Sequence, residues 1–249
     1  MTLTFILAII VIFVLAGAVK GATGMGLPTL GMGLLSLLMA PADAAALLIV
    51  PAILTNVIQF ATGPRRGAVL RRFWLLGVFT ILGTLAGAWT LGGLDSHFAP
   101  ALLGATLLVY GLFGLAKLQF HTPARLERWL SPVMGLASGI LTGTTGVTVM
   151  PVAPYLQSLD LDREDLVQAL GLDFTLSTFA LAVTLSMDFT ALSDARVALA
   201  SAGALVPAFI GMELGKRLRL AVSQATFRAG FFAALALLGA NTLVRALPL

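Results

Sequence analysis

The chain has 249 residues, of which 59% are hydrophobic and 10% charged, with 15 Lys and Arg against 11 Asp and Glu. A soluble domain averages about 25% charged residues, so this composition argues against a water-soluble globule. The basic residues flank apolar runs, which marks membrane orientation and not nucleic-acid binding, and the absence of cysteine excludes disulfides, thiolate metal sites and iron–sulfur clusters.

Apolar runs follow one another at 3–19, 44–61, 73–91, 98–116, 133–141, 166–185, 197–214 and 227–247. Most approach or exceed the roughly 17–25 residues that cross a bilayer as helix, which predicts an all-α integral membrane protein. The first run lacks the basic leader of a cleavable signal peptide. Directly after it, "AVKGATGMGLPTLGMGLLSLL" (18–38) sets Lys20, Gly21, Thr23, Gly24, Gly26 and Pro28 among apolar residues. Glycine frees the backbone and proline removes a donor, so this stretch does not suit one continuous buried helix. The second run places Asn56 and Gln59 one turn apart on one face, and loop 63–72 is basic, with Arg65, Arg66, Arg71 and Arg72. Past the short run 133–141, "GTTGVTVMP" (143–151) forms a second interrupted stretch, where Thr142, Thr144, Thr145 and Thr148 surround Gly143 and Gly146. The run 166–185 carries Asp173, Ser177 and Thr178 near its middle. Trp74, Trp89 and Trp129 fall near span ends as interfacial anchors. His97 and His121 fall in loops on opposite sides, which leaves no metal or haem site.

The two halves echo each other. At a spacing of 122 residues Gly21 pairs with Gly143, Thr23 with Thr145, Gly24 with Gly146 and Asn56 with Thr178. Equivalent loops carry opposite charge character. Arginine-rich 63–72 corresponds to 186–196, with Asp188, Asp194 and one Arg196, whereas 92–97, without Lys or Arg, corresponds to a loop holding Lys216, Arg217 and Arg219. That pattern fits a second half inverted in the membrane. If every run crossed once, nine of the 15 basic residues would lie inside and five outside. If the glycine-broken segment of each half enters and returns to the same side, twelve of the 15 lie inside and only Arg196 and Arg245 outside, with Lys20 in the membrane. The second arrangement is expected. It has two inverted repeats, 1–120 and 121–249, each a glycine-broken, re-entrant-like helix pair followed by about three transmembrane helices. Together they form one membrane domain with six full spans and both termini outside.

Backbone that leaves the helix at membrane depth survives only where it is buried in protein or lines a wet cavity. A helix starting at such a break points free N–H groups and the positive end of its dipole at whatever sits there. Two breaks meeting near the midplane would hold an anion, as in many secondary transporters. The substrate-binding candidates are therefore Gly21, Thr23, Gly24 and Gly26 at the first break and Thr142, Gly143, Thr144, Thr145, Gly146 and Thr148 at the second. Asn56, Gln59, Ser177 and Thr178 in the following runs complete the set. Lys20 has two readings, a cationic ligand beside the first break or a lysine snorkelling to the headgroups. The glycines alternatively permit close helix packing, and the threonines alternatively bond their own helix backbone. Asp173, the one acid near a span centre, would carry a coupling proton, pair with Lys20, or make a structural interhelical hydrogen bond. There is no catalytic constellation, no GxxxxGK[ST] nucleotide motif and no cofactor site.

The glycine-rich "GATGMGLP" (21–28), "GLASGILTGTTGVTVMP" (135–151) and the duplicated layout over essentially the whole chain resemble the sulfite exporter TauE/SafE family, within the toluene-sulfonate uptake permease group. The resemblance implies a multi-pass carrier of the cytoplasmic (inner) membrane that moves small sulfur-containing anions such as sulfite or organosulfonates. Family members often carry a richer glycine run and a nearby acid, whereas here Thr23 and Met25 interrupt the glycines and Lys20 precedes them. Amide N–H groups, threonine hydroxyls and one lysine suit the tetrahedral oxygens of a sulfonate. The expectation is a secondary transporter embedded in the bilayer, alone or as a homo-oligomer. The alternatives are an ion-coupled carrier of another small metabolite or cation, with Asp173 as ligand, and a non-transporting membrane scaffold.

Overall fold

The structure, a computed structural model, describes residues 3–118, 120–187, 195–221 and 223–246. Among them the regular elements are all helical: α1 (Leu3–Thr23), α2 (Leu27–Leu35), α3 (Pro41–Thr62), α4 (Arg66–Thr90), α5 (Ala99–Leu115), α6 (Ala124–Thr145), α7 (Val152–Ser158), α8 (Arg163–Met187), α9 (Ala195–Gly203), α10 (Leu205–Ala221) and α11 (Gln224–Ala246), with one 3-10 turn at Gly93–Asp95.

Among the described residues six helices are long and apolar enough to cross a membrane: α1, α3, α4, α8, the near-continuous α9–α10 unit over Arg196–Leu218, and α11. The expected six spans differ in one member, because they included 98–116 and treated 3–19 as part of a hairpin. Length is the reason. α5 has 17 residues, about 26 Å at the helical rise and short of the ~30 Å hydrocarbon core. α1 has 21 residues, enough for about 32 Å. The expected acids Asp188 and Asp194 lie outside the described residues.

α1 shows how the sequence sorts lipid from protein. Leu3, Leu7, Val11 and Leu15 recur every fourth residue and are exposed, whereas Phe13, Ala16, Gly17 and Lys20 are buried. An exposed leucine stripe is stable in hydrocarbon, so contact between helices comes from small residues that let backbones approach. A Cβ on Gly17 would lie 2.2 Å from the Ala208 carbonyl oxygen, and one on Gly21 2.0 Å from that of Met212. The register rises together, so α1 and α10 run parallel. α4 and α6 repeat the device: Cβ atoms on Gly135, Gly139 and Gly143 would lie 2.4, 2.2 and 2.3 Å from the carbonyl oxygens of Leu76, Thr80 and Thr84. In α5 and α11 the register descends, with Gly104 facing Leu243 and Gly111 facing Ala236, so this pair is antiparallel.

α3 and α8 cross antiparallel and are tied by a reciprocal pair of amides. Gln59 donates to the Val167 carbonyl and Gln168 to the Phe60 carbonyl, both at 2.8 Å. The tight turn between α3 and α4 brings Arg65 onto Asp162 and Asp165 at the head of α8. The amide of Asp165 and the Arg65 guanidinium together hold the Asp162 carboxyl below the usual carboxylate range. α4 and α8 therefore start at one level, and Thr80 meets Asp173 further along both. α6 starts at that level too, through the Arg72–Glu127 ion pair at 2.7 Å. The chain then comes back beside its own entry point. Tyr155 on α7 bonds Ser131 at 2.7 Å, and the Thr122 N–H donates to the Ser158 carbonyl at 2.9 Å.

Pro51 interrupts α3, since it has no N–H for the Leu47 carbonyl. The Ser201 hydroxyl, from α9, donates to that carbonyl at 2.9 Å and accepts the Val50 N–H at 3.2 Å. A side chain from the far half of the sequence thus takes up the carbonyl that Pro51 leaves free inside α3.

Two stability tests follow from these contacts. Gly139→Ala drives a methyl group into backbone and lowers the unfolding free energy in detergent by about 2 kcal/mol. Gly230→Ala, where nothing lies within 4 Å, raises it by roughly 0.5–1 kcal/mol through helix propensity. Ser201→Ala costs about 1–2 kcal/mol by orphaning the Leu47 carbonyl. A double-mutant cycle shows most of that cost disappearing in a Pro51→Ala background, where the helix supplies its own donor.

Candidate functional site

The two breaks are built from the same local contacts. At the first, the Thr23 hydroxyl bonds the Val19 carbonyl at 2.8 Å and accepts the Met25 N–H at 3.1 Å. At the second, Thr145 bonds the Leu141 carbonyl at 2.6 Å and accepts the Val147 N–H at 3.2 Å. Each helix ends on a left-handed glycine, Gly24 at φ +78° and Gly146 at φ +70°. Their N–H groups donate to the Lys20 and Thr142 carbonyls at 2.7 and 2.8 Å. Gly26, at φ +104°, then opens α2 without any side-chain cap, so the first-turn amides of α2 have no helical partner.

The surroundings of the breaks differ. The first lines a cavity of about 850 Å³ bounded also by the end of α3 and the heads of α8 and α11. Thr23, Gly24 and Gln59 contribute to its wall, with Arg163, Arg228 and Phe231 opposite. Gly21 contributes too, although its close approach to Met212 gives it a packing role as well. Gly26 is buried; a Cβ there would sit 2.7 Å from Val19 and 3.4 Å from the Phe231 ring. Gly146, Thr148 and Thr178 border a void of about 10 Å³, closed by Pro28 and Met32 of α2. The breaks therefore do not open into one common cavity.

Lys20 and Asn56 lie behind the first break. Lys20 is 2% exposed and Asn56 0%, and the ammonium donates to the Asn56 side-chain oxygen. The lysine is thus turned into the protein and away from headgroups. The Asn56 Nδ2 has no partner. Asp173 lies on the α4 side of α8, where Oδ1 accepts the Thr80 hydroxyl at 2.7 Å and buried Oδ2 has no partner. No ion pair joins Asp173 to Lys20 among the described residues.

The second-break threonines mostly turn to their own backbone. Thr142, Thr144 and Thr145 bond the Ser138, Ile140 and Leu141 carbonyls at 2.9, 2.9 and 2.6 Å. Thr178 bonds the Phe174 carbonyl at 2.6 Å and Ser177 the same carbonyl at 3.3 Å. Thr148 alone among them keeps a buried hydroxyl with no partner. Gly143 packs on Thr84, whereas Gly146 is required by its backbone conformation. Sequence reasoning missed Arg163, Arg228 and Phe231. The two arginines entered it only as markers of membrane side, and nothing in their spacing says that the heads of α8 and α11 converge on the first break. No group of three or more metal-ligating side chains occurs among the described residues.

A buried ammonium whose partner is a neutral amide should cost stability. Replacing the pair by apolar residues of similar volume, Lys20→Met with Asn56→Leu, raises the unfolding free energy by about 1–4 kcal/mol. Asn56→Ala alone, which strands the charge, lowers it by about 3 kcal/mol. Thermal unfolding in detergent reads both.

No curated protein and no solved structure matches the chain. The family model described as Sulfite exporter TauE/SafE matches residues 9–242, nearly its whole length. With that match, the apolar helices and the interrupted pairs α1–α2 and α6–α7 in place, the chain belongs to the sulfite exporter TauE/SafE family of membrane transporters.

Proposed function

We propose that this protein is a secondary transporter of small sulfur-containing anions, sulfite or an organosulfonate, across the cytoplasmic membrane. The observation that carries the reading is the cavity of about 850 Å³ at the first break, which combines a glycine-ended helix, a threonine, two arginines and the buried Lys20 just behind its wall. An oxyanion entering there meets Arg163 and Arg228, with Glu164 as the one acid in the wall. The head of α2 is buried behind Phe231 at Gly26, so its uncapped amides would be reached only if Phe231 moved, and Pro28 leaves that first turn one N–H short.

The reading takes 1–120 and 121–249 as inverted repeats. The matching contacts at Thr23 and Thr145 support it, as do the parallel pairs α1–α10 and α4–α6, which exchange under a two-fold relation. By the positive-inside rule the large cavity is taken to face the cytoplasm, because Arg163 and Arg228 line it and Arg65 follows Pro64 of its wall. The second break would then face the other side, shut by Met32 in this conformation. Alternate opening of the two breaks would pass the anion between them. Asp173, with an unpartnered oxygen, is the residue assigned to proton coupling.

Purified protein in proteoliposomes tests this. Sulfite or a short alkyl sulfonate should give saturable flux that carboxylates and metal cations do not compete for. Lys20→Met should reduce that flux at least tenfold while the protein stays folded. Asp173→Asn should flatten its pH dependence. An absence of flux for every sulfur oxyanion would overturn the substrate assignment, and an unchanged pH profile in Asp173→Asn would remove the coupling role.

A further inference from the structure

A second cavity, of about 420 Å³, lies beside the first at the end of α5 and the head of α11. Its only charged lining residues are Lys117 and Arg228. Neither forms an ion pair among the described residues. Tyr110 forms part of the wall. It is 2% exposed, and its hydroxyl has no hydrogen-bond partner. That hydroxyl is a buried donor with nothing to donate to, and leaving one so is costly. Aromatic rings hold the arrangement. Tyr110 meets Phe232 edge-on at 5.2 Å, and the Arg228 guanidinium lies 5.9 Å from the Phe232 ring. The outer lip is apolar: Phe113 and Phe120 stack at 5.8 Å, and Leu118 and Phe120 are mostly exposed.

We infer that this cavity is a separate binding site for an amphipathic oxyanion, with a tetrahedral phosphate or sulfonate head at Lys117, Arg228 and Tyr110 and an apolar tail over Phe113 and Phe120. The two cations and the orphan hydroxyl supply charge-assisted donors for the head. The lip sits at the C-terminal end of α5, where exposed Leu118 and Phe120 lie beside the two cations. The head chemistry is shared by an anionic lipid of the inner leaflet and by a free alkyl sulfonate. Arg228, Gln157 and Phe232 line both cavities, whereas Tyr110 and Lys117 line only the smaller one, so these two residues distinguish the site from the transport cavity.

Thermal unfolding of the full chain in neutral detergent, titrated with separate probes, tests the inference. Phosphatidylglycerol and octanesulfonate are the tailed anions, phosphatidylcholine the zwitterionic control and inorganic phosphate the tailless one. At least one tailed anion should stabilise the wild type, while phosphatidylcholine and inorganic phosphate at equal concentration do not. Lys117→Gln should weaken the apparent affinity about tenfold and Tyr110→Phe about fivefold. A response to phosphatidylglycerol alone identifies a lipid site, and one to octanesulfonate alone a soluble ligand; either supports the site. Stabilisation that persists unchanged in both variants belongs elsewhere, including the larger cavity, and overturns it without touching the transport reading. Inorganic phosphate matching the tailed anions, or no response from wild type, overturns it as well.

Discussion

Peptide groups released from a helix in a membrane protein must find partners within the protein, and the chain leaves the helix in this way at two places. At residues 23–26 and 145–147 a threonine side chain closes the end of one helix and accepts the first amide beyond it. A glycine in the left-handed region then turns the chain back on itself. Once the turn is satisfied locally, a short helix returns along its partner, and the rest of the bundle has to enclose both. α2 covers the second break through Met32, while α7 reaches the first through Gln157, a wall residue of the larger cavity. Each returning helix therefore serves the opposite half.

The same constraint explains how the glycines divide their work. Gly24, Gly26 and Gly146 are needed for backbone conformation, since φ lies where side chains are strained. Gly21 and Gly143, next to them in sequence, are needed for space, since a Cβ would enter a neighbouring carbonyl. A packing glycine and a turning glycine sit three residues apart at both breaks, which fixes the end of each long helix against its parallel neighbour. Seams this close leave little room for sliding within α1–α10 or α4–α6.

Charge is handled by pairing at the surface and by hydrogen bonding inside. Arg65 and Arg72 hold Asp162, Asp165 and Glu127 at the helix heads. Exposed pairs of this kind contribute little stability, but they set the level at which α4, α6 and α8 begin. Lys20 and Asp173 are enclosed instead, each with a single polar side-chain partner. Buried groups left incompletely satisfied are expensive, and their retention beside a helix break and at a span centre is consistent with work done by charge at those points.

The sequence by itself determined the membrane class and the positions of both interruptions, because apolar run length and glycine placement are local properties of the chain. It also contained the family signature, in the glycine-rich segments that the match over residues 9–242 includes. Tertiary structure alone decided which glycines pack and which turn, since both look alike in a string of letters and differ in backbone φ and in whether a neighbouring backbone carbonyl stands against them. It decided that Ser201 completes the helix at Pro51, a partnership across 150 residues without local trace. It also decided that Lys20 meets Asn56 rather than Asp173, because α8 presents Gly171 to α3 and turns Asp173 toward α4. A helix face is fixed by rotation about its axis, and that rotation is chosen by the neighbours.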